Sequence, residues 1–227
     1  MAFMHQAWYW LLLWPALSFG AVSAAYFGLG PRIFGKREDG TLAPLRCLVL
    51  LPFLAHTYLA WRILRFCKSE TAYDFLLPQV LIGRRLMPAE LPPGIYTVVD
   101  LTCEFVEPRN IRSLPRYISF PLLDTGAADP AQLITLLRGI SLNSAPLLIH
   151  CAEGHGRTGM VAAALLLVHG EATTSDEAIA SVCAKRPAVR LKPSQERAVR
   201  EVARILAQQR TKSGGNFSHA GGEAGVE

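Results

Sequence analysis

The stretch from Pro146 to Val168 constrains the fold of this chain more than any other. An apolar run from Pro146 to Ile149 is typical of a buried strand, and an Ala/Leu-rich run from Gly159 to Val168 is typical of a buried helix. Cys151 lies between them, at the start of a glycine-rich turn. The pattern therefore predicts a strand, a tight turn and a helix, with a cysteine where the turn begins.

The turn after Cys151 has the composition of an anion-binding loop. In a strand-to-helix turn, backbone N–H groups can converge, and the first helical turn adds its positive dipole end. The side chain of Arg157 adds a bidentate fork, and the thiolate of Cys151 is favoured beside these positive groups, with the Thr158 hydroxyl as a possible donor to it. We predict that a phosphate group binds the residues Ala152, Glu153, Gly154, His155, Gly156 and Arg157.

This turn resembles the His-Cys-x5-Arg-Ser/Thr signature of the cysteine-based protein tyrosine and dual-specificity phosphatase superfamily, matched at His150, Cys151, Gly154, Arg157 and Thr158. The resemblance covers roughly residues 77–208. It implies an α/β fold with a central, mostly parallel sheet flanked by helices, a phosphatase with a phosphocysteine intermediate, and no metal or other cofactor. A chance glycine-rich turn beside a buried cysteine, or a sulfur-transferase loop of the rhodanese kind, are the alternatives.

A phosphatase of this type also needs an acid upstream of the signature to protonate the leaving oxygen. Asp124 and Asp129 are the candidates. The segment 120–126 is similar to the movable acid loop of dual-specificity phosphatases, although it begins with Phe120 where the commonest form has Trp. Asp129 precedes Pro130 at a predicted helix start, and a role as N-cap explains it. We therefore predict Asp124 as the catalytic acid.

The resemblance implies three further roles. Gln195 follows Arg186-Pro187 in a segment similar to one in which a Gln orients the hydrolytic water, although a surface Gln in a capping turn would look the same. His150 is expected to stay neutral and to hydrogen-bond the backbone around the loop. Cys103 is either a small buried residue or a thiol that pairs reversibly with Cys151.

Residues 1–71 are apolar enough to predict a membrane region. Gln6 to Gly30 contains no charged residue and has aromatic residues near both ends, and a second apolar run extends from Cys47 to Trp61. We predict a membrane hairpin of two transmembrane helices, at about 7–30 and 44–64. A cleaved signal peptide for the first run and an interfacial second helix are the alternatives.

The cysteines indicate the compartment. A catalytic thiolate needs reducing conditions, and the five cysteines show no spacing typical of a disulfide framework or a zinc site. We predict a multi-pass membrane protein, in the inner membrane if bacterial, with its catalytic domain in the cytoplasm. The formal net charge of +5 is compatible with a domain on an anionic lipid surface.

From residue 72 to 210 the pattern is that of an alternating α/β domain, and residues 211–227 are predicted to be a disordered tail. Strands are expected near 79–82, 96–101, 117–122 and 146–151, and helices near 131–142, 159–168, 175–185 and 193–209.

The predicted function is that of a membrane-anchored, cysteine-dependent phosphomonoester phosphatase. Its substrate would be a phosphoprotein or a phospholipid, and no nucleic-acid partner is expected. The acidic Glu153 in the loop disfavours a highly charged inositol phosphate. The alternative is a membrane adaptor that binds phosphorylated partners without turnover.

Overall fold

A five-stranded sheet forms the centre of the molecule in the computed structural model, which describes residues 2–142 and 145–215. The strand order is β1-β2-β5-β3-β4, with β1 antiparallel to β2 and the other neighbours parallel. This confirms the predicted mostly parallel sheet, to which the unpredicted β1 adds an antiparallel edge. The strands are Tyr73–Leu77 (β1), Val80–Arg84 (β2), Thr97–Thr102 (β3), Arg116–Leu122 (β4) and Leu147–Cys151 (β5).

The α-helices are Ala2–Ala24 (α1), Pro44–Cys67 (α2), Arg109–Arg112 (α3), Pro130–Arg138 (α4), Gly156–His169 (α5), Ser175–Lys185 (α6) and Pro193–Gly215 (α7). A π-helical turn, Ala25–Leu29, follows α1, and short 3-10 helices lie at Pro31–Phe34 and Pro88–Glu90. Helix α7 continues through 211–215, where a disordered tail was predicted to begin. The rest of that predicted tail, 216–227, lies outside the described residues.

The alternation of side chains along β5 explains how the domain is layered. Leu147 and Ile149 point into the larger core, which contains α5 and the inner faces of α4, α6 and α7, whereas Leu148 belongs to a second core on the opposite face. Because β5 lies between β2 and β3, Cys151 stands at the carboxyl end of a central strand. That edge is where α/β sheets place their ligands.

Helices α1 and α2 run in the same direction. The indole Nε1 of Trp14 donates to the carbonyl oxygens of Leu48 and Val49 at 3.2 Å. Further along both helices, the Ser18 hydroxyl accepts from Phe53 N at 3.2 Å. Residues later in α1 contact residues later in α2, which occurs only when the two helices are parallel. The linking segment, residues 30–43, therefore runs back beside the helices.

The segment before α2 and the C-terminal end of α2 both contact the α/β domain. The linking segment before α2 docks there through Lys36, whose Nζ lies 2.7 Å from Asp100 Oδ2. At the other end, Trp61 Nε1 donates to Ala152 O at 3.1 Å and Lys68 Nζ lies 2.6 Å from Glu153 Oε2. A helix of 24 residues is about 36 Å long.

Both α1 and α2 are long and apolar enough to cross a membrane. Consecutive spans that a short segment connects are antiparallel, whereas the two helices are parallel in this structure, so the predicted transmembrane hairpin stays a prediction that the observed packing does not favour. The linking segment is also charged, and it is docked on the α/β domain through Lys36. The arrangement fits the interfacial alternative for α2.

Candidate active site

The phosphate loop begins at Cys151, which is buried at the end of β5. Its Sγ accepts a hydrogen bond from Gly154 N at 3.2 Å. Gly154 has a φ of +75°, and a Cβ there would lie 2.5 Å from the carbonyl carbon of Gly83 in β2. Only glycine fits this position, because any side chain would be strained and would collide with the neighbouring strand.

Arg157, in the first turn of α5, is fixed by a carboxylate that the sequence analysis did not assign. Its Nη1 donates to Glu104 Oε2 at 3.0 Å and its Nη2 to Glu104 Oε1 at 2.7 Å. Burial opposes both charges, but the ion pair outweighs it and holds the pKa of Glu104 below its ordinary value and the pKa of Arg157 above its own. The Nε of Arg157 is buried without a hydrogen-bond partner among the described residues, so it remains free to donate to an oxyanion.

Asp124, which follows β4, comes to the same guanidinium. Its Oδ1 lies 3.2 Å from Arg157 Nη2, and its side chain is 69% exposed. Asp129, in contrast, accepts from Gln132 N at 2.9 Å and caps α4, as its alternative role required. The structure thus brings Asp124, and not Asp129, beside the phosphate loop, while the role of Asp124 as the acid stays a prediction.

Two supporting residues, Thr158 and His150, do not make the hydrogen bonds that were expected of them. The Thr158 hydroxyl donates to Gly83 O at 3.3 Å, so its predicted bond to Cys151 is not the one made in this structure. Neither ring nitrogen of His150 has a hydrogen-bond partner within 2–142 and 145–215, in contrast to the expected backbone bonds. Both nitrogens are enclosed under the loop, where no donor or acceptor of the backbone reaches them.

Gln195 is buried and not the surface residue of the alternative interpretation. Its Oε1 accepts from Lys192 N at 2.9 Å, and its Nε2 donates to Gly126 O at 3.0 Å. Gln195 thereby connects the start of α7 to the loop that carries Asp124. Its role in orienting water stays a prediction.

The side chains of Glu153 and His155 point to the segment that follows α2. Glu153 is paired with Lys68, and His155 Nε2 lies 2.6 Å from Glu70 Oε2. The loop can therefore offer a phosphate its backbone N–H groups while the carboxylate of Glu153 is held by a lysine.

Arg186 and Trp61 also support the loop and were not predicted. The fully buried Arg186 donates from Nε to Gly154 O at 2.9 Å and from Nη1 to Asp74 Oδ2 at 2.5 Å. Trp61 reaches the loop from α2 through its bond to Ala152 O. The sequence alone does not reveal the supporting role of Arg186, because its partner Asp74 lies more than a hundred positions away in the chain.

A buried polar cluster lies behind the loop, where ligand atoms of Asp100, Glu107 and His150 are within 4.8 Å of one another. Lys36 and Arg85 pair with the two carboxylates at 2.7 and 2.6 Å. Burial and the Asp100 carboxylate raise the pKa of Glu107. Because two cations already neutralise the acids, we assign no metal to this cluster.

Cys103 lies in the wall of the same cavity as Cys151. Burial and the neighbouring Glu104 carboxylate raise the pKa of the Cys103 thiol well above its ordinary value. Cys103 is therefore a thiol at neutral pH, which slows its attack on an oxidised Cys151. The disulfide between them stays a hypothesis.

These residues share one cavity of about 440 Å³. Cys151, Arg157, Asp124 and Gln195 line its polar side. Another part of the lining is largely apolar and comes from α2 and the residues before it: Tyr26, Phe34, Phe53, Thr57, Ala60, Trp61 and Leu64. Nucleophile, guanidinium and carboxylate therefore face a space large enough for a phosphate ester.

Known proteins with similar sequences and structures are phosphatases. Protein 197R of Invertebrate iridescent virus 6, which carries a tyrosine phosphatase name, is 28% identical over 137 residues, 56% of this chain and 42% of the viral protein. The chain thus spans less than half the length of that curated relative. The active form of Tk-PTP matches with a TM-score of 0.52 and 27% identity, over 59% of this chain and 97% of its own. PTPMT1, in complex with PI(5)P, has the same fold, with a TM-score of 0.54 and 16% identity over 62% of this chain and 99% of its own.

Residues 88–215 match the family described as Swiss Army Knife protein, DSP-PTPase phosphatase domain. The match covers more than half of the chain and includes Glu104, Asp124 and the whole phosphate loop. The chain therefore belongs to this family of dual-specificity and tyrosine phosphatase domains.

Proposed function

We propose that this protein is a membrane-associated, cysteine-dependent phosphomonoester phosphatase. The observation that supports this best is the approach of Asp124 Oδ1 to within 3.2 Å of Arg157 Nη2, in the cavity that also contains Cys151. A nucleophile, a phosphate-binding fork and an acid are the three groups that such a reaction requires.

In the first step, the thiolate of Cys151 attacks phosphorus. An S–P bond forms, the P–O bond to the leaving group breaks, and Asp124 gives its proton to the departing oxygen. The backbone N–H groups of 152–157 and the guanidinium of Arg157 bind the other phosphate oxygens. Because Glu104 fixes the guanidinium beforehand, little reorganisation is needed as charge moves onto those oxygens.

In the second step, water attacks the phosphocysteine. Asp124, now a carboxylate, accepts a proton from the water, the S–P bond breaks, and the thiolate and inorganic phosphate are released. Gln195 has its amide beside both Gly126 and Gly156, which suits a role in orienting that water. Thr158 would have to turn from Gly83 O to Cys151 Sγ to stabilise the departing thiolate.

The exposed surface of α1 and α2 suits a membrane location. Because the two helices are parallel and α2 rests on the α/β domain, we propose that they lie in one face of the bilayer and do not form a multi-pass unit. A catalytic thiolate places the domain on the reducing, cytoplasmic side. The outward face of α2 carries Leu45, Leu48, Val49, Leu51, Tyr58, Leu59, Ile63, Leu64 and Phe66.

The test uses the full chain in non-ionic detergent with EDTA and an aryl phosphate such as 4-nitrophenyl phosphate. We expect turnover by the wild type, none by Cys151→Ser, and a fall of kcat by about 10²-fold or more in Asp124→Asn. Rapid acid quenching should trap a phosphorylated wild-type chain. A wild type without turnover that still binds phosphate would favour the membrane adaptor instead.

A further inference from the structure

Part of the cavity lining comes from α2 and the residues before it. This part, the α2 wall, includes Phe34, Trp61 and Leu64. Trp61 cannot serve as a polar contact for a substrate, since its indole N–H already donates to Ala152 O. Apart from the hydroxyls of Tyr26 and Thr57, the wall therefore offers a ligand apolar surface.

This apolar wall continues to the outside of the molecule. Leu64 lines the cavity and is also 40% exposed, and Tyr26 lines the cavity and is 52% exposed. Leu64 belongs to the same helix as the exposed Leu59 and Ile63. An apolar chain attached to a bound phosphate can thus leave the cavity along α2 and remain on apolar surface.

The charges of the cavity suit a single phosphate monoester. Arg157 is the buried cation of the loop, and Arg190 and Lys192 line the same cavity. The carboxylates of Asp124 and Glu104 line it as well, and both are beside Arg157. A headgroup with several phosphates would meet these carboxylates, whereas one monoester needs only the loop.

A phosphopeptide fits this wall poorly. Its backbone carries an N–H and a C=O at every residue, and each loses water without a partner when it lies against Phe34, Trp61 or Leu64. A lipid carries no such groups beyond its headgroup, and its burial against the same side chains is favourable.

We propose that the α2 wall binds the apolar part of a lipid phosphomonoester whose phosphate occupies the Cys151 loop. The proposal rests on the proposed phosphatase function and names its substrate class. The substrate reaches the site from the membrane face on which α1 and α2 lie.

The test compares substrates on the full chain in non-ionic detergent: glycerol 3-phosphate, dibutanoyl and dihexanoyl phosphatidate, a phosphotyrosine peptide and 4-nitrophenyl phosphate. We expect kcat/KM to rise by at least about tenfold from glycerol 3-phosphate to dihexanoyl phosphatidate, because burial of two methylene groups already gives a factor of that order. The kcat/KM for the phosphotyrosine peptide should be lower than that for dihexanoyl phosphatidate.

A variant locates the effect on the wall. In Leu64→Gln, the ratio of kcat/KM for dihexanoyl phosphatidate to that for 4-nitrophenyl phosphate should fall by about tenfold. Leu45→Gln, at the exposed beginning of the same helix and outside the cavity, should keep the wild-type ratio. The ratio corrects for any general loss of folded protein, since both substrates use the same loop.

The outcomes are distinguishable. A flat response to chain length, or a phosphotyrosine peptide hydrolysed faster than the lipid, would overturn the lipid proposal and leave the phosphatase function standing. A wild type that hydrolyses no aryl phosphate would overturn both.

Discussion

At the scale of single residues, the site depends on charges that are buried in pairs. Arg157 is useful to a phosphate only while its planar fork is held in one orientation, and Glu104 holds it there through two hydrogen bonds. Asp100 and Lys36 form a second such pair behind the loop. Removing one member of a buried pair leaves an uncompensated charge, so these positions should be more sensitive than exposed ion pairs.

Glu104→Gln should lower kcat/KM for an aryl phosphate by about 100-fold, because a guanidinium displaced by a fraction of its length no longer matches the phosphate. Steady-state kinetics of the full chain measures this. The control is Glu201→Gln, which removes a carboxylate from the exposed Arg204 pair and should leave the kinetics unchanged. If Glu104→Gln and Glu201→Gln had the same kinetics as each other, the proposed role of Glu104 in holding Arg157 would be contradicted.

Lys36→Met should destabilise the fold in a pH-dependent way. Burial would raise the pKa of Asp100, but Lys36 outweighs it and the pKa is lowered to about 2. A depressed folded-state pKa means that the pair stabilises the protein above the ordinary pKa near 4 and that this stabilisation is lost as the pH falls toward 2.

We therefore expect Lys36→Met to cost about 3 kcal/mol at pH 7. The difference from wild type should shrink below about pH 4, where Asp100 becomes protonated in the unfolded chain. Urea unfolding at several pH values measures the free energy of unfolding of both proteins and therefore the difference between them at each pH. The exposed Lys185→Met is the control and should match the wild type throughout. A pH-independent difference would contradict the assignment to Asp100.

The residues that could be read from the sequence are those whose chemistry is local. Cys151, Arg157 and the glycines lie within one turn, so their spacing alone predicted a phosphate loop. Glu104 and Arg186 could not be found in this way, because they act on the loop through contacts with distant parts of the chain. The signature identified His150, but its surroundings include Glu107 and Asp100, and Lys36 pairs with Asp100. Hydrophobic periodicity does not show that these distant residues meet.

At the scale of elements, α2 is the feature that sets this chain apart from a phosphatase domain alone. Hydropathy predicted its length and apolar character, and the helix is observed at Pro44–Cys67. Hydropathy carries no information on direction, however, so it could not distinguish a membrane hairpin from the observed parallel pair. The bond from Trp61 to Ala152 O also makes α2 a structural support of the phosphate loop.

Trp61→Phe should weaken the loop while it preserves most of the packing against Phe105. Loss of the indole N–H removes one of two donors to Ala152 O, since Arg85 N also donates to it at 3.3 Å. We expect a loss of about 1 kcal/mol in stability, together with a fall of kcat/KM for an aryl phosphate. Thermal unfolding and steady-state kinetics measure the two effects.

Trp14→Phe is the matched control, because Trp14 makes an equivalent indole hydrogen bond to α2 far from the loop. It should lose similar stability and keep its kinetics. If both variants lose activity equally, the effect of Trp61 would be one of general stability and not of support for the loop.

At the scale of the whole molecule, the boundary predicted near residue 72 separates two parts that the structure joins closely. Lys36 is buried against Asp100, Trp61 and Lys68 contact the phosphate loop, and Arg186 bonds to Thr71 O at 3.3 Å. Composition changes at this boundary because the apolar helix α2 ends shortly before it. The packing, however, is continuous across this boundary, so the stability of the α/β domain should depend on the residues before position 72.

A fragment of residues 72–227 should therefore be much less stable and less active than the full chain. Loss of Lys36 alone is expected to cost about 3 kcal/mol, which corresponds to a fall in Tm of roughly 6–12 °C for a domain of this size. The loss of Trp61 and of the Lys68 pair adds to it and should lower kcat/KM for an aryl phosphate.

The matched control removes only residues 2–24, which deletes α1 and retains the linking segment and α2. That shorter deletion should keep the kinetics of the full chain in detergent, because none of the bonds to the phosphate loop comes from α1 among the residues that the structure describes. Full activity in the 72–227 fragment would instead mean that α2 serves the membrane and the substrate but not the fold of the loop.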